Sequence, residues 1–318
     1  MKKYNYPETK KIHFEENFFG ETLKDPYVWI EKAKDKEVLD WVKSQNKFTD
    51  QYFTDEQKYN VEKLSKEIKE KSKSSKYMNI IENFGKIYAT KQNEKGERSI
   101  VILDQDFKEK ETLIDSKTFD NKMMLLGITP SPINNGIAFI SAMVHSSTGS
   151  LIIYDCNKKK TLKQIDNIFG ASFSSTGDKV YFTERELVKS EYRSINRIKI
   201  YDIQNDTIES IYEHDKNSLL FTLTPSQCGQ YIGVNMLINY ADKELSVIDT
   251  TDNSIVKLTG DAIGSFEYIG TIEDKHYVKT NVEAEYGKIL GFPVSNPSYE
   301  ASYDVIPHSD KIISHAVI

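Results

Sequence analysis

Ile153-Tyr154-Asp155, Ile200-Tyr201-Asp202 and Val247-Ile248-Asp249 are three copies of one phrase, two strand-forming apolar or aromatic residues followed by an aspartate. Each copy stands 47 residues after the previous one, and a weaker copy, Ile102-Leu103-Asp104, precedes Asp155 by 51 residues. Upstream of three of them lies a serine-to-glycine turn: Ser131-Pro132-Ile133-Asn134-Asn135-Gly136, Ser174-Ser175-Thr176-Gly177 and Ser226-Gln227-Cys228-Gly229. Such a glycine can take the positive φ that a tight hairpin needs, so each turn is expected to join the first two strands of a unit. The aspartate is expected to end the third strand and to accept bonds from backbone amides of the next turn, as in Asp155-Cys156-Asn157-Lys158, Asp202-Ile203-Gln204-Asn205-Asp206 and Asp249-Thr250-Thr251-Asp252-Asn253. A period in the forties with about four strands per unit predicts the blades of a β-propeller; β-solenoid repeats are shorter.

Working outward, Lys86-Ile87-Tyr88-Ala89-Thr90, Ile137-Ala138-Phe139-Ile140, Val180-Tyr181-Phe182-Thr183 and Arg197-Ile198-Lys199-Ile200-Tyr201 read as further short strands separated by turn residues. No helix-length apolar stripe follows Met78, which argues against alternating βα units. From Met78 to Ser309 the spacing accommodates about five blades, and Lys311-Ile312-Ile313-Ser314 is expected to begin a sixth. Before the strands the chain reads differently. Up to about Phe19 it has no clear periodicity. From Asp35 to Lys71 it reads as helical, because Val38, Trp41, Gln45, Phe48 and Tyr52 recur at steps of three and four. Thr54-Asp55 is a capping signal, after which Val61, Leu64 and Ile68 continue the stripe, and Ser72-Lys73-Ser74-Ser75-Lys76 reads as a linker. The expected organisation is a helical N-terminal segment over residues 1–76 and a mainly β, propeller portion over 77–318.

Composition narrows the function classes. The 318 residues are 38% hydrophobic and 28% charged, enough for a core and a wet surface. The net charge of -6 argues against nucleic-acid binding. Cys156 and Cys228 are too far apart to form a metal or redox motif, and free thiols suit a reducing compartment. No signal peptide or membrane span is visible, so the expected location is the cytoplasm. His13, His145, His214, His276, His308 and His315 lack metal-ligand spacing, and no calcium loop or phosphate-binding glycine loop occurs. His214-Asp215 reads as a loop. Gly170-Ala171-Ser172-Phe173-Ser174 imitates a nucleophile elbow but lacks its second glycine. The expectation is therefore no catalytic, cofactor-binding or metal-binding residue. The 19 tyrosines and 15 phenylalanines are expected to pack blade on blade.

The first fifty residues carry a family resemblance. Tyr6-Pro7-Glu8-Thr9, Phe19-Gly20, Asp25-Pro26-Tyr27-Val28-Trp29-Ile30-Glu31 and Trp41-Val42-Lys43-Ser44-Gln45-Asn46, followed by Thr49 and Tyr52, resemble the opening of prolyl oligopeptidases. Val28 and Ile30 depart from the usual arginine and leucine. The resemblance implies a seven-bladed propeller, here incomplete, that admits oligopeptides to the Ser, Asp and His of an α/β-hydrolase domain. No such domain is recognisable in the sequence, so the chain is expected to be inactive alone, with a hydrolase domain as partner. The rival reading is a stand-alone propeller that binds a peptide or protein. An unclosed ring would bare blade flanks rich in residues such as Tyr181, Phe182, Tyr231 and Tyr277, from which self-association is expected.

Overall fold

The computed structural model describes residues 4–56, 58–118, 123–144, 148–188, 193–214, 220–238 and 242–318. The chain divides into two compact units, Met1–Ser74 and Ser75–Ile318. No helix among the described residues is long and apolar enough to cross a membrane.

The first unit contains a hairpin of β1 (Glu15–Phe18) and β2 (Glu21–Lys24), a short turn of 3-10 helix at Val28–Glu31, and helices α1 (Lys36–Gln51) and α2 (Lys58–Ser72). The hairpin was not legible as periodicity because every one of its strand residues is exposed, so there is no apolar face to alternate. Its tip is Phe19-Gly20, both at positive φ (50° and 87°), as a two-residue hairpin turn requires. The α1 stripe is used in full. Val38 is buried, the Trp41 indole N–H donates to Thr9 Oγ1 (3.1 Å), and Gln45 Nε2 donates to the Pro7 carbonyl (3.3 Å). The Phe48 and Tyr52 rings meet Tyr6 and Tyr4 at 5.1 and 5.6 Å. Trp29 is buried edge-on against Trp41 at 5.9 Å and donates to the Lys10 carbonyl (2.9 Å). Thr54-Asp55 lies within a wide helical turn, Tyr52–Glu56. The α2 stripe lies open: Val61, Leu64 and Ile68 are 38%, 56% and 63% exposed.

Among the described residues, the second unit forms five four-stranded antiparallel blades. Blade one is β3 (Lys76–Asn83), β4 (Lys86–Gln92), β5 (Arg98–Leu103) and β6 (Glu109–Asp115). Blades two and three use β7 (Met123–Pro130), β8 (Ile137–Val144), β9 (Thr148–Asp155), β10 (Lys160–Phe173), β11 (Lys179–Val188), β12 (Arg193–Asp202) and β13 (Thr207–His214). They share one sheet because β10 serves both. Its first half pairs with β9, its second half with β11, and the register shifts near Asn167, where φ is 63°. Blade four is β14 (Leu220–Pro225), β15 (Tyr231–Leu237), β16 (Lys243–Asp249) and β17 (Ile255–Lys257). Blade five is β18 (Phe266–Ile272), β19 (Lys275–Thr280), β20 (Lys288–Pro293) and β21 (Tyr303–Ile306).

The cores lie between blades. On β9, Ile152 and Tyr154 enter the seam with blade one, whereas Leu151 and Ile153 enter the seam with blade three. On β11, Val180 and Phe182 face blade two and Tyr181 faces blade four. A central strand is thus buried on both faces, which is why these strands read as continuous apolar runs rather than alternating ones. The flank of blade one expected to be bare is buried, with Ile87, Ala89, Val101 and Leu103 at 0–7% exposure.

The repeat falls where its chemistry requires. Asp155, Asp202 and Asp249 end the third strands, in register with Ile137, Lys179 and Tyr231 at the starts of the second strands. Each Oδ1 accepts from the turn that follows: from the amides of Asn157 and Lys158 (3.0 and 2.9 Å), of Gln204 and Asn205 (both 2.9 Å), and of Thr251 (2.9 Å). Asp104 does the same in blade one. Blade five has Pro293 at this register position, opposite Lys275, which is why the phrase has no fifth copy. Gly136, Gly177 and Gly229 close the first hairpins of blades two to four at φ of 75°, 66° and 69°. Lys311-Ile312-Ile313-Ser314 forms no strand. The segment lies along blade five, the Ile313 amide donating to the Tyr286 carbonyl (2.9 Å) and Lys279 Nζ to the Ser314 carbonyl (2.8 Å). Isolated bonds of this kind hold a chain in place without making a ladder.

Candidate functional site

The first strands of the blades are β3, β7, the second half of β10, β14 and β18. Those of blades one and two, three and four, and four and five approach each other, so these strands form the inner wall of the propeller. Four of the five carry a bulge, between Met78 and Ile81, Leu125 and Gly127, Ile168 and Gly170, and Tyr268 and Gly270. A bulge leaves residues unpaired and re-aims the side chains around it. Ile80 and Phe169, at bulged positions, are 49% and 39% exposed. A β-carbon on Gly170 would stand in ordinary contact, 3.5 Å from the Leu223 amide nitrogen of the next blade, whereas one on Gly270 would stand a tight 3.2 Å from Ile318 Cδ1. Ile318 thus passes Gly270 much as β14 passes Gly170. Gly127, Gly170 and Gly270 were a readable signal of this wall, each preceded by an apolar residue, and sequence reasoning did not use it. Asn79, Met124, Thr129, Thr222 and Glu267 are also exposed on these strands, which gives a mixed polar and apolar surface.

Among the described residues, the groups weighed as chemistry are not brought together. Ser172 is buried within β10, and its hydroxyl donates to the Phe173 carbonyl (3.2 Å). His13 lies near Glu15 (3.5 Å) in the first unit. His214 ends β13 rather than occupying a loop, its ring 5.8 Å from Phe221, and Asp215 and His145 lie outside the described residues. His308 stacks on Tyr286 at 6.1 Å. Among the described residues, no three His, Cys, Asp or Glu side chains converge as metal ligands. Two of the punctuating aspartates are held ionised by their turns: the Lys158 amide keeps Asp155 below the usual carboxylate range, and the Asn205 amide does so for Asp202. Burial pushes the Cys156 thiol up to about 11, which makes it inert. A site missed in the sequence is His276, 2% exposed between blades four and five. It borders a cavity of about 100 Å³ lined also by Tyr231, Asp249 and Ser254. A second cavity, about 230 Å³, lies between blade five and Ile312-Ile313, beside Glu267, Lys279 and Tyr286. The site has a surface that can hold an extended ligand and, among the described residues, no assembled nucleophile and base.

Comparison with known proteins gives one consistent answer. Residues 6–317 match the family model described as the prolyl oligopeptidase N-terminal β-propeller domain. A prolyl endopeptidase of Elizabethkingia meningoseptica is 27% identical over 193 residues, 56% of this chain and 25% of that protein. Among solved structures, one from a study of two prolyl endopeptidases superposes with a TM-score of 0.74 at 15% identity, covering 96% of this chain and 47% of that one. Prolyl oligopeptidase B from Galerina marginata, bound to a 25mer macrocyclization substrate, gives 0.75 at 13% identity, covering 96% and 48%. At such identity the structures establish the fold, and the chain spans about half their length.

Proposed function

This chain belongs to the prolyl oligopeptidase N-terminal β-propeller family, and from that premise we propose that it is the propeller portion of a prolyl oligopeptidase-like serine endopeptidase, passing short peptides to a hydrolase domain. The observation that carries the reading is the family match over residues 6–317, nearly the whole of the described chain. The inner wall supports it. An extended peptide presents backbone donors and acceptors with side chains of every kind, and a wall of amide, hydroxyl and apolar groups such as Asn79, Thr222 and Phe169 accommodates that mixture. A wall made of rigid, two-face-buried blades excludes folded proteins by size. Bond cleavage needs a positioned nucleophile, base and oxyanion donors together, and these are assigned to the partner hydrolase domain. The setting proposed is the cytoplasm, where both free thiols stay reduced.

The test uses a fluorogenic Gly-Pro substrate. The chain alone is expected to release no fluorophore. Added to a separately prepared prolyl oligopeptidase hydrolase domain, it is expected to leave cleavage of a short proline peptide intact and to suppress cleavage of a folded protein with a proline-bearing surface loop. Turnover by the chain alone, abolished by a serine-directed covalent inhibitor, would overturn the assignment.

A further inference from the structure

His276 sits on β19 in the seam between blades four and five, and its surroundings are hydroxyls and rings from both blades. Its Nδ1 lies 2.7 Å from Thr271 Oγ1, Thr271 Oγ1 is bonded to the Tyr268 hydroxyl, and that hydroxyl also reaches Ser226 of blade four. The Tyr231 ring of blade four meets the imidazole edge-on at 4.9 Å, the Tyr268 ring lies at 6.2 Å, and Phe292 is the cross-strand neighbour on β20. The titratable groups facing the ring are Asp249 and Tyr231 from blade four and Tyr268 from blade five. Only Asp249 carries charge that favours an imidazolium. Its carboxylate is already committed, Oδ1 to the Thr251 amide and hydroxyl (2.9 and 2.7 Å) and Oδ2 to Gln230 Nε2 (3.4 Å). The remaining lining of the cavity, Val247, Ser254, Val256, Val294 and Pro297, offers no charge. In the closed seam burial therefore outweighs Asp249 and holds the imidazole neutral, down to about 4.

We propose that the seam between blades four and five is an acid-released joint keyed by His276, in which protonation of the ring favours local separation of β18–β19 from β15–β16. The sign follows from linkage. The opened seam returns the ring to water and its ordinary value of 6.5, so below that pH the opened form binds a proton that the closed form rejects. Closure is fully favoured above 6.5 and weakens as pH falls toward 4. The cavity of about 100 Å³ that the ring borders gives protons and water a place to enter first. Among the described residues, the buried cores of the seams of blade two hold no histidine, so no such response is expected there.

Hydrogen exchange on the intact chain at pH 7.5 and 5.0, corrected for intrinsic rates, tests this. The opening constant of β18 and β19 amides is expected to rise about thirty-fold between the two, relative to β8 and β9 amides. In His276→Phe, which keeps a ring and cannot titrate, the relative rise is expected to vanish. An equal response of the two regions, or a rise that persists in His276→Phe, overturns the proposal. Should that variant fail to fold, NMR titration of the wild-type His276 ring decides. A ring that stays neutral through pH 5 in the folded chain supports the joint, and one that titrates near 6.5 with the seam closed overturns it.

Discussion

Ser131 Oγ occupies the space that a side chain on Gly177 would need, since an ideal β-carbon there would stand 2.3 Å away from it. The two residues belong to the first hairpin turns of blades two and three, so the turns of neighbouring blades stack directly. Gly229 repeats the relation in blade four, where a β-carbon would lie 3.0 Å from Ser175 Cα. The serine and glycine of the repeat are thus coupled between blades as well as within one.

Gly177→Ala is therefore expected to be costly for two reasons that can be separated. Its φ of 66° disfavours any β-carbon, and Ser131 must move aside. Together these predict a loss of about 2–3 kcal/mol in urea denaturation. Gly96→Ala shares the positive φ (81°) but meets nothing within 4 Å, and is expected to lose only about 1 kcal/mol. Equal losses at both sites would show that turn stacking contributes nothing.

Tyr181 supplies a second tie across a seam. Its ring is fully buried, and its hydroxyl donates to Asn253 Oδ1 and lies 3.4 Å from the Thr250 carbonyl, both in the turn after β16. Burial pushes the phenol far above its ordinary range, so the hydroxyl stays a donor throughout the working pH range. Tyr181→Phe keeps the ring and leaves Asn253 without its partner. A loss of about 1–2 kcal/mol in thermal or urea melts is expected, and an unchanged midpoint would mean the tie does not hold in solution.

What was legible in the sequence follows the same physics. The Asp and Gly positions could be read because a turn accepts few residue types, and the period could be read because the equivalent aspartates of blades two, three and four stand 47 residues apart. The helix stripe of Val38, Trp41 and Phe48 was visible because it buries one face. The β1–β2 hairpin was hidden because it buries none. The inner-strand bulges were hidden because a bulge is a register event between strands, and only Gly127, Gly170 and Gly270 mark it locally. His276 was passed over because its surroundings, Tyr231, Tyr268 and Thr271, come from two blades.

Phe84 offers a gain rather than a loss. It stands at the tip of the β3–β4 turn with φ of 48°, and it is 55% exposed, so it incurs left-handed strain without burying its ring. Asparagine tolerates that conformation and is favoured in such turns before glycine, here Gly85. Phe84→Asn is expected to raise stability by about 0.5–1 kcal/mol, read as a higher urea midpoint at unchanged slope. A lower midpoint would show that the exposed ring has a packing role.

The two thiols give the last prediction, because one is a surface group and the other a reporter of a seam. Cys228 is exposed in the blade-four turn beside Ser226 Oγ (3.2 Å). Cys156 is buried in the seam of blades one and two with its thiol pushed up to about 11. At pH 8 the Cys156 thiolate is then roughly a thousandth of the total, and the reagent must also wait for the seam to open. With a chromogenic disulfide reagent one equivalent is expected to react within seconds to minutes and the second far more slowly. Cys228→Ser removes the fast phase, and urea near the unfolding midpoint accelerates the slow one, because Cys156 then reacts through the opened chain. Two fast equivalents in the native protein would mean that the first seam is open in solution, and the packing of Ile152, Tyr154 and Cys156 described here would not hold.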